Sequence, residues 1–182
     1  MRLLVVALAG IALAGCGSRG APSAERSPAP AATAPPTYPV AYRMPRDEIS
    51  RLAASGDALA ALEREQVFGV SAYEAYPVVV VMEWLRERGI DLRLPRPLRP
   101  ALQRVFDEQD LTVIVVGREH RRHRERLASL EPSERELRRY YEVFNEHDWP
   151  ESGKAMLEWL GIVKRAVAAV DARTLIVIPV TE

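Results

Sequence analysis

The chain has 182 residues, of which 48% are hydrophobic, 27% charged and 7% aromatic. This length and composition are typical of one globular domain and exclude a large multidomain protein. Lysine and arginine together number 25, as do aspartate and glutamate, so the formal net charge is zero. A balanced charge argues against a dedicated nucleic-acid-binding protein, which carries a basic excess. The single cysteine excludes an intramolecular disulfide framework and a cysteine-rich zinc site.

The chain begins with a short basic start, Met1-Arg2, and an apolar run of 11 residues from Leu3 to Leu13. A helix that spans a bilayer needs about 20 apolar residues, so this run is too short, and its length is typical of a signal peptide. It ends in the sequence Leu13-Ala14-Gly15-Cys16. The whole segment resembles the signal of bacterial lipoproteins, whose four-residue lipobox ends in a cysteine.

The lipoprotein resemblance implies a covalent lipid on this cysteine. In that class the Cys16 thiol receives a diacylglyceryl group, the chain is cleaved before Cys16, and the new amine is open to acylation. Two or more acyl chains give a stable membrane anchor. Gly17 in place of an aspartate favours the outer membrane, facing the periplasm, by the sorting rule of enteric bacteria. We therefore predict a signal peptide over 1–15 and expect no cofactor other than this lipid.

Proline and alanine dominate the segment that follows the cysteine. Large aliphatic residues are nearly absent between Gly17 and Pro45, so this stretch buries too little surface to fold alone. Proline-rich linkers are extended. The sequence predicts a tether over 16–45 and one globular domain over 46–182.

The first half of the domain has helical spacing, with one predicted break and one valine run that also fits a strand. Apolar residues recur at helical intervals from Arg46 to Gln66, with a break predicted at 55–57. Pro77 predicts the start of a helix that runs to Arg88 and ends at Gly89. The run of four valines at 78–81 has strong β propensity, which leaves a strand there as an open alternative.

Two apolar runs predict buried strands near 111–117 and 174–180. Both are apolar on each face, so both should be covered on two sides. Pro179 suggests that the end of the second strand lies at an edge. Because two strands make a poor sheet, a third is expected from 78–82 or from around Tyr38 to Tyr42. We predict a helix-rich α+β, or small α/β, domain with a short sheet.

Three helices are predicted between these two strands. Ser133 and Glu136 form a capping-box pattern before an apolar stripe that begins at Leu137. Asp148 and Glu151 predict the start of the next helix. That helix is apolar nearly all round, so it should be mostly buried.

The most unusual segment is Arg118–Arg126, which we call the basic segment. It holds five arginines, two glutamates and two of the three histidines, and it directly follows the strand that ends at Gly117. Arginine forks bind carboxylates and phosphates, so this segment is a candidate site for an anion or a partner protein. The candidate residues are Arg118, His120, Arg121, Arg122, His123 and Arg124. The competing interpretation is a solvated helix start whose arginines pair with the acids of 131–151. No metal is expected, because arginines repel a divalent cation and no third ligand is identifiable.

No catalytic motif is recognisable in the sequence. The hydrolase elbow, the phosphate loop and the metalloprotease helix pattern are all missing. We therefore expect a non-enzymatic envelope lipoprotein whose domain binds another envelope protein, as an assembly factor, a secretion accessory or a toxin-immunity protein. The alternative is a periplasmic enzyme or receptor for a small anionic ligand. A cleft that contains Arg118, His120 and Arg122 favours the alternative, whereas an exposed apolar patch around Trp84, Trp159 or Tyr141 favours the binding protein.

Overall fold

The computed structural model describes residues 40–93 and 111–180, and residues 98, 102, 105, 108 and 109 between them. The predicted signal peptide, Cys16 and the tether up to residue 39 lie outside the described residues. Within the described part of the chain, no helix is both long and apolar enough to cross a membrane.

A four-stranded antiparallel sheet forms the centre of the domain. The strands are β1 (Val40–Pro45), β2 (Gln66–Val70), β3 (Thr112–Val116) and β4 (Thr174–Val180). Their order is β2-β1-β4-β3, and each neighbouring pair is antiparallel. With helices on both sides, this is an α+β domain, as predicted. The expected third strand comes from the residues before 46, so the folded domain begins at least as early as Val40 and takes in residues assigned to the tether.

Both apolar runs form strands, but β4 is not an edge strand. It lies between β1 and β3. The expectation that its end lies at an edge is nevertheless met on one side. The register of β4 with β1 ends at the pair Tyr42–Val177, whereas the register with β3 continues to Val180. Pro179 therefore lies where β4 has one paired neighbour, and its missing N–H interrupts no pairing with β1.

Strand β2 was not predicted from the sequence. Helical spacing extends as far as Gln66 in the sequence, but Gln66–Val70 form the strand next to β1 at one side of the described sheet. Its register with β1 shifts between Ala41 and Tyr42, so Phe68 has no partner across the pair. A strand of five residues with a bulge and a glycine has no clean alternation of apolar and polar residues, so the pattern did not reveal it.

Six α-helices lie among the described residues. They are α1 (Ile49–Ala54), α2 (Ala58–Leu62), α3 (Tyr76–Glu87), α4 (Arg124–Ala128), α5 (Glu134–Asn145) and α6 (Ser152–Ala169). Short 3-10 helices precede α1, at Arg46–Glu48, and α4, at Arg118–His123.

The break predicted between the first two helices is confirmed. Asp57 Oδ1 accepts a hydrogen bond from the backbone N–H of Ala60 at 2.9 Å and so caps α2. Gln109 joins the two sides of the break, because its Oε1 accepts from Ala58 N and its Nε2 donates to Ser55 O, each at 2.7 Å. The turn is thus held from a distant part of the chain.

The valine run at 78–81 is helical and lies in α3. Pro77 occupies the first turn of this helix, and Gly89 follows its end with a φ of +71°. Val78, Val80 and Val81 are all fully buried. Packing against the sheet and against α6 therefore overrides the β propensity of these residues.

The predicted start of α5 is confirmed and that of α6 is not. Ser133 Oγ accepts from the backbone N–H of Glu136 at 3.1 Å, which caps α5. Asp148 does not cap α6; its carboxylate accepts from Arg138 at 2.7 Å instead, and α6 begins at Ser152.

The two faces of the sheet carry two separate cores. Ile176 and Ile178 point into a core with α3, α4, α5 and α6, in which Trp84 and Trp159 are fully buried. Leu175 and Val177 point to the other face and pack with α1 and α2. The prediction that β3 and β4 are covered on two sides is confirmed, because alternate residues of each strand belong to different cores.

Candidate partner-binding surface

The basic segment leaves the sheet through a tight turn at Gly117. A Cβ added at Gly117 would lie 2.7 Å from Glu119 Oε2 and 3.0 Å from Leu175 Cδ2. Only glycine fits this approach without displacing its neighbours. The chain then forms the 3-10 helix at Arg118–His123 and continues into α4, so the segment has an inner and an outer side.

His120 forms the inner side of the basic segment. Its side chain is 3% exposed, its Nδ1 accepts from Gly117 N–H at 3.1 Å, and its Nε2 lies 3.1 Å from the carbonyl oxygen of Arg93. One neutral tautomer, protonated on Nε2, satisfies both contacts. Burial lowers the pKa of this imidazole below its ordinary value. His120 was a candidate binding residue, but both of its ring nitrogens bond within the domain and its ring does not face solvent.

The outer side of the basic segment is formed by its arginines. All five, Arg118, Arg121, Arg122, Arg124 and Arg126, are exposed. Within the described residues, the one ion pair that any of them makes is the contact between Arg118 Nε and Glu119 Oε1 at 3.9 Å. That glutamate is shared with Arg46, which hydrogen bonds to both of its oxygens. Partial burial raises the pKa of Glu119, but the contacts with Arg46 outweigh it and the pKa lies below its ordinary value.

The acids of 131–151 do not neutralise these arginines in the described structure. Glu136 pairs with Arg88 at 2.9 Å. Glu142 and Asp148 both pair with Arg138, at 2.6 and 2.7 Å. The arginines are therefore exposed, as the competing interpretation expects. The ion pairs that it expects with the acids of 131–151 are not among those that the structure describes.

His123 is half-buried beside the arginines. Its Nε2 accepts a hydrogen bond from Arg122 Nε at 3.1 Å. Partial burial, followed by the charge of Arg122, lowers the pKa of His123. The described residues include no group of three or more histidine, cysteine or acidic side chains that could hold a metal ion.

The basic segment lies at one end of the sheet. Strands β1 and β3 run in the same direction, because each is antiparallel to β4. The C-terminal end of β3, where the segment begins, is therefore beside the C-terminal end of β1, and the ion pair between Arg46 and Glu119 joins these two ends. Val40, at the start of β1, lies at the opposite end of the sheet.

The exposed apolar patch around Trp84, Trp159 or Tyr141 that would have favoured a binding protein does not form. Trp84, Trp159 and Tyr141 are 1%, 0% and 8% exposed, respectively. Arg88 lies over the Trp84 ring at 3.9 Å, and Trp159 Nε1 donates to the carbonyl oxygen of Glu74 at 2.9 Å. These side chains belong to the core, so they offer no surface to a partner.

A groove between α3 and β3 was not foreseen from the sequence. It has a volume of about 140 Å³ and is lined by α3, by residues 91–93 and by residues 112–115 of β3. Val79 and Met82 supply its helical wall, and Ile114 supplies a half-buried side chain from the strand. The lining residues are far apart in the chain, so only the tertiary structure brings them together. We call it the α3 groove.

A larger depression, of about 360 Å³, lies against α1 and α2. Its charged lining residues are Glu48, Arg51, Arg64 and Glu65. Because the two arginines balance the two glutamates, this depression does not select a ligand of one charge.

Comparisons with known proteins identify no family for the chain: no family model, no curated protein and no solved structure matches it.

Proposed function

We propose that this chain is a lipid-anchored envelope lipoprotein whose folded domain binds an acidic surface of another envelope protein. Cys16 carries the lipid, residues 16–39 form the tether, and the exposed arginines of the basic segment contact the partner. The observation that supports this function best is the arrangement of five exposed arginines, which make a single ion pair among the described residues and lie at one end of the sheet.

Surface arginines that make few ion pairs within their own domain are suited to bind an acidic partner. A guanidinium donates two parallel hydrogen bonds to a carboxylate, which gives geometric specificity as well as charge attraction. Exposed charges also accelerate encounter, and this effect weakens with salt because the Debye length is about 8 Å at physiological ionic strength. Exposed ion pairs contribute only about 0–1 kcal/mol to stability, so folding alone does not require five arginines here.

The position of the basic segment favours a partner protein over the headgroups of the anchoring membrane. The tether joins the domain at Val40, and the segment lies at the opposite end of the sheet. A proline-rich tether of this length reaches roughly 60–70 Å when extended, at about 3.1 Å per residue. Attachment at the end opposite the basic segment allows this segment to face away from the membrane.

The alternative, an enzyme or receptor for a small anion, has less support. It requires His120 to face the ligand beside Arg118 and Arg122. The ring of His120 is instead buried and bonded to Gly117 and Arg93.

Replacement of Cys16 by serine tests the anchor. Without the thiol the chain cannot receive its acyl chains, so Cys16→Ser should move from the membrane fraction to the soluble fraction. Fractionation followed by immunoblotting measures this distribution. A Cys16→Ser protein that stays in the membrane fraction and resists salt extraction contradicts the lipoprotein proposal.

Replacement of Arg121, Arg122 and Arg124 by serine tests the binding surface. Proteins retained by the wild-type chain from solubilised membranes are identified by mass spectrometry, and their retention is compared at low and high salt. A genuine partner is retained by wild type, is lost with the triple variant and is released by salt. The matched control replaces three exposed arginines elsewhere, Arg64, Arg135 and Arg139, which removes the same charge. Equal loss with both triple variants would show that net charge, and not the basic segment, retains the partner.

A further inference from the structure

We infer that Arg118, Arg121 and Arg124 form a straight row of guanidinium groups that binds an extended segment of the acidic partner, with a carboxylate at every second residue of that segment. We call these three residues the arginine row. This inference rests on the proposed function, and it specifies which arginines contact the partner and how the acids of the partner are spaced.

The arginine row results from the 3-10 geometry of the basic segment. The chain is a 3-10 helix over Arg118–His123, and the backbone N–H groups of His120 and Arg124 each donate to the carbonyl oxygen three residues earlier. A 3-10 helix has three residues per turn, so side chains three positions apart lie directly above one another. Arg118, Arg121 and Arg124 therefore share one face of the segment.

Burial along the basic segment follows the same period of three residues. His120 is 3% exposed, and His123, three positions later, is half-buried. These two histidines form the face that lies on the domain. Arg122 lies on a second face, where its Nε donates to His123 Nε2 at 3.1 Å. The arginine row occupies the third face, and all three of its members are exposed. The row therefore points to solvent along its whole length.

The guanidinium groups of the arginine row are available to the carboxylates of a partner. The ion pair that the row makes among the described residues is the one between Arg118 Nε and Glu119 Oε1, which are 3.9 Å apart. Both oxygens of that glutamate already accept hydrogen bonds from Arg46. The Arg118 side chain remains 58% exposed. Each member of the row can therefore donate two parallel hydrogen bonds to a carboxylate from outside.

The spacing of the arginine row matches alternate residues of an extended chain. A 3-10 helix rises about 2.0 Å per residue, so neighbouring members of the row are about 6 Å apart and the row is about 12 Å long. An extended chain rises about 3.3 Å per residue and directs every second side chain to the same side, which places alternate carboxylates about 6.6 Å apart. Over three carboxylates the two spacings differ by only about 1.2 Å in total, which the long arginine side chains can follow.

An acidic α-helix fits the arginine row less well. Acids at every fourth position of a helix are also about 6 Å apart along its axis, but each is turned by about 40° from the one before. The third acid is thus about 80° around the helix from the first and points away from a straight row. An extended segment directs all three acids to the same side, so the geometry favours an extended partner.

Three peptides of equal charge test this spacing on the full-length protein in non-ionic detergent at low salt. The alternating peptide is Thr-Asp-Thr-Asp-Thr-Asp-Thr, and the contiguous peptide, Thr-Thr-Asp-Asp-Asp-Thr-Thr, has the same composition. The helical peptide is an alanine helix with three aspartates at every fourth position. Each carries a fluorophore, and fluorescence anisotropy measures its Kd. The contiguous peptide, when extended, directs at most two acids to one side. We therefore expect it to bind about fivefold more weakly than the alternating peptide, because it loses one exposed ion pair. The helical peptide should also bind more weakly.

Two single variants locate the peptide on the arginine row. Arg121→Ser removes the middle member of the row, so it should weaken binding of the alternating peptide about fivefold and abolish its preference over the contiguous peptide. The matched control, Arg122→Ser, removes the same charge from the adjacent residue, which is also exposed but lies on another face. It should keep the preference of wild type. Thermal unfolding of both variants confirms that they are folded.

The outcomes separate this inference from the proposed function. If the alternating and contiguous peptides bind equally, or if Arg121→Ser and Arg122→Ser have equal effects, the arginine row is wrong and the basic segment attracts acids by its charge alone, as the proposed function still allows. Tightest binding by the helical peptide would mean that the partner presents a helix, and it would also overturn the inference. If no peptide binds saturably at low salt, the inference fails, and the retention of membrane proteins by wild type and by the triple serine variant decides the proposed function separately.

Discussion

The basic segment and the helical hairpin α5–α6 use arginine in opposite ways. In the hairpin, Arg138 contacts both Glu142 and Asp148, and Arg88 of α3 reaches across to Glu136 while it covers the Trp84 ring. Arg88 thus joins the end of α3 to α5, and Arg138 joins α5 to the loop that precedes α6. In the basic segment the arginines point to solvent, and its interior contact is made by His120.

This difference shows that charge composition does not reveal what a charged residue does. Both regions are rich in arginine, and the whole chain has a net charge of zero. Whether an arginine stabilises the fold depends on whether an acid lies within reach on a neighbouring element. Among the described residues, no arginine of the basic segment makes an ion pair with an acid of another element, so we expect its outer side to serve binding and its inner side to serve folding.

The largest expected effect is on the inner side, with His120→Ala. This change leaves the Gly117 N–H and the Arg93 carbonyl without a partner and opens a cavity. An unsatisfied buried polar group costs about 1–3 kcal/mol, and a cavity adds to it, so we expect a loss of about 3 kcal/mol in the free energy of unfolding. Urea denaturation measures this loss. His147→Ala, at an exposed histidine, is the control and should leave stability nearly unchanged. If both variants unfold like wild type, His120 has no structural role.

A smaller effect is expected from Gly153→Ala in the hairpin. Helix α6 approaches α5 so closely here that an added Cβ would lie 2.4 Å from the carbonyl oxygen of Glu134. Overpacking of this kind costs about 1–3 kcal/mol. The contrasting variant is Gly161→Ala, where the nearest atom is Nη1 of Arg165 at 3.5 Å; alanine should stabilise α6 there by about 0.5–1 kcal/mol. Denaturant midpoints that shift in the same direction for both glycines would contradict this account of the α5–α6 contact.

The stability of the domain should fall as the pH decreases below about 6.5. His120 and His123 have pKa values below the ordinary histidine value in the folded chain, so between the two values the unfolded chain binds more protons. The stability contributed by these two histidines is therefore fully present above the histidine pKa of the unfolded chain, and it is lost as the pH falls below that value. Protonation of Nδ1 would also break the bond that His120 accepts from Gly117.

Melting temperatures from pH 8 to pH 5 measure this dependence. In this range Asp91, Glu119 and Asp171 contribute little, because their pKa values are lowered in the folded chain and lie below about 4.5 in the unfolded chain. His120→Ala should flatten the profile. An unchanged slope in that variant would assign the pH dependence to other groups.

The smallest effect on stability is expected on the outer side of the basic segment. Replacement of Arg121, Arg122 and Arg124 by serine should change the free energy of unfolding by no more than about 0.5 kcal/mol, because exposed side chains away from the core contribute little. Arg138→Ser should lower the melting temperature measurably, because that residue makes two ion pairs. A collapse of stability in the triple variant would mean that those arginines are structural.

Much of the helical architecture follows from local signals. Ser133 caps α5, Asp57 caps α2, and Pro77 and Gly89 delimit α3. The two long apolar runs form β3 and β4, because residues that are apolar on both faces need two covered faces. These features depend on backbone geometry and on side chains close in sequence, which is why a sequence pattern predicts them.

The sequence did not determine how distant residues meet. Whether the valines at 78–81 are helical depends on their packing against the sheet and α6, and strand β2 exists because β1 lies beside it. Asp148 lost its expected capping role because Arg138 lies within 2.7 Å of it.

For the candidate surface, the sequence identified the basic segment by its composition and by its place after a buried strand. Only the tertiary structure separated its buried His120 from its exposed arginines, and only the tertiary structure placed the α3 groove beside it. The physical reason is the same in each case: burial and ion pairing depend on elements far apart in the chain, and no local pattern records them.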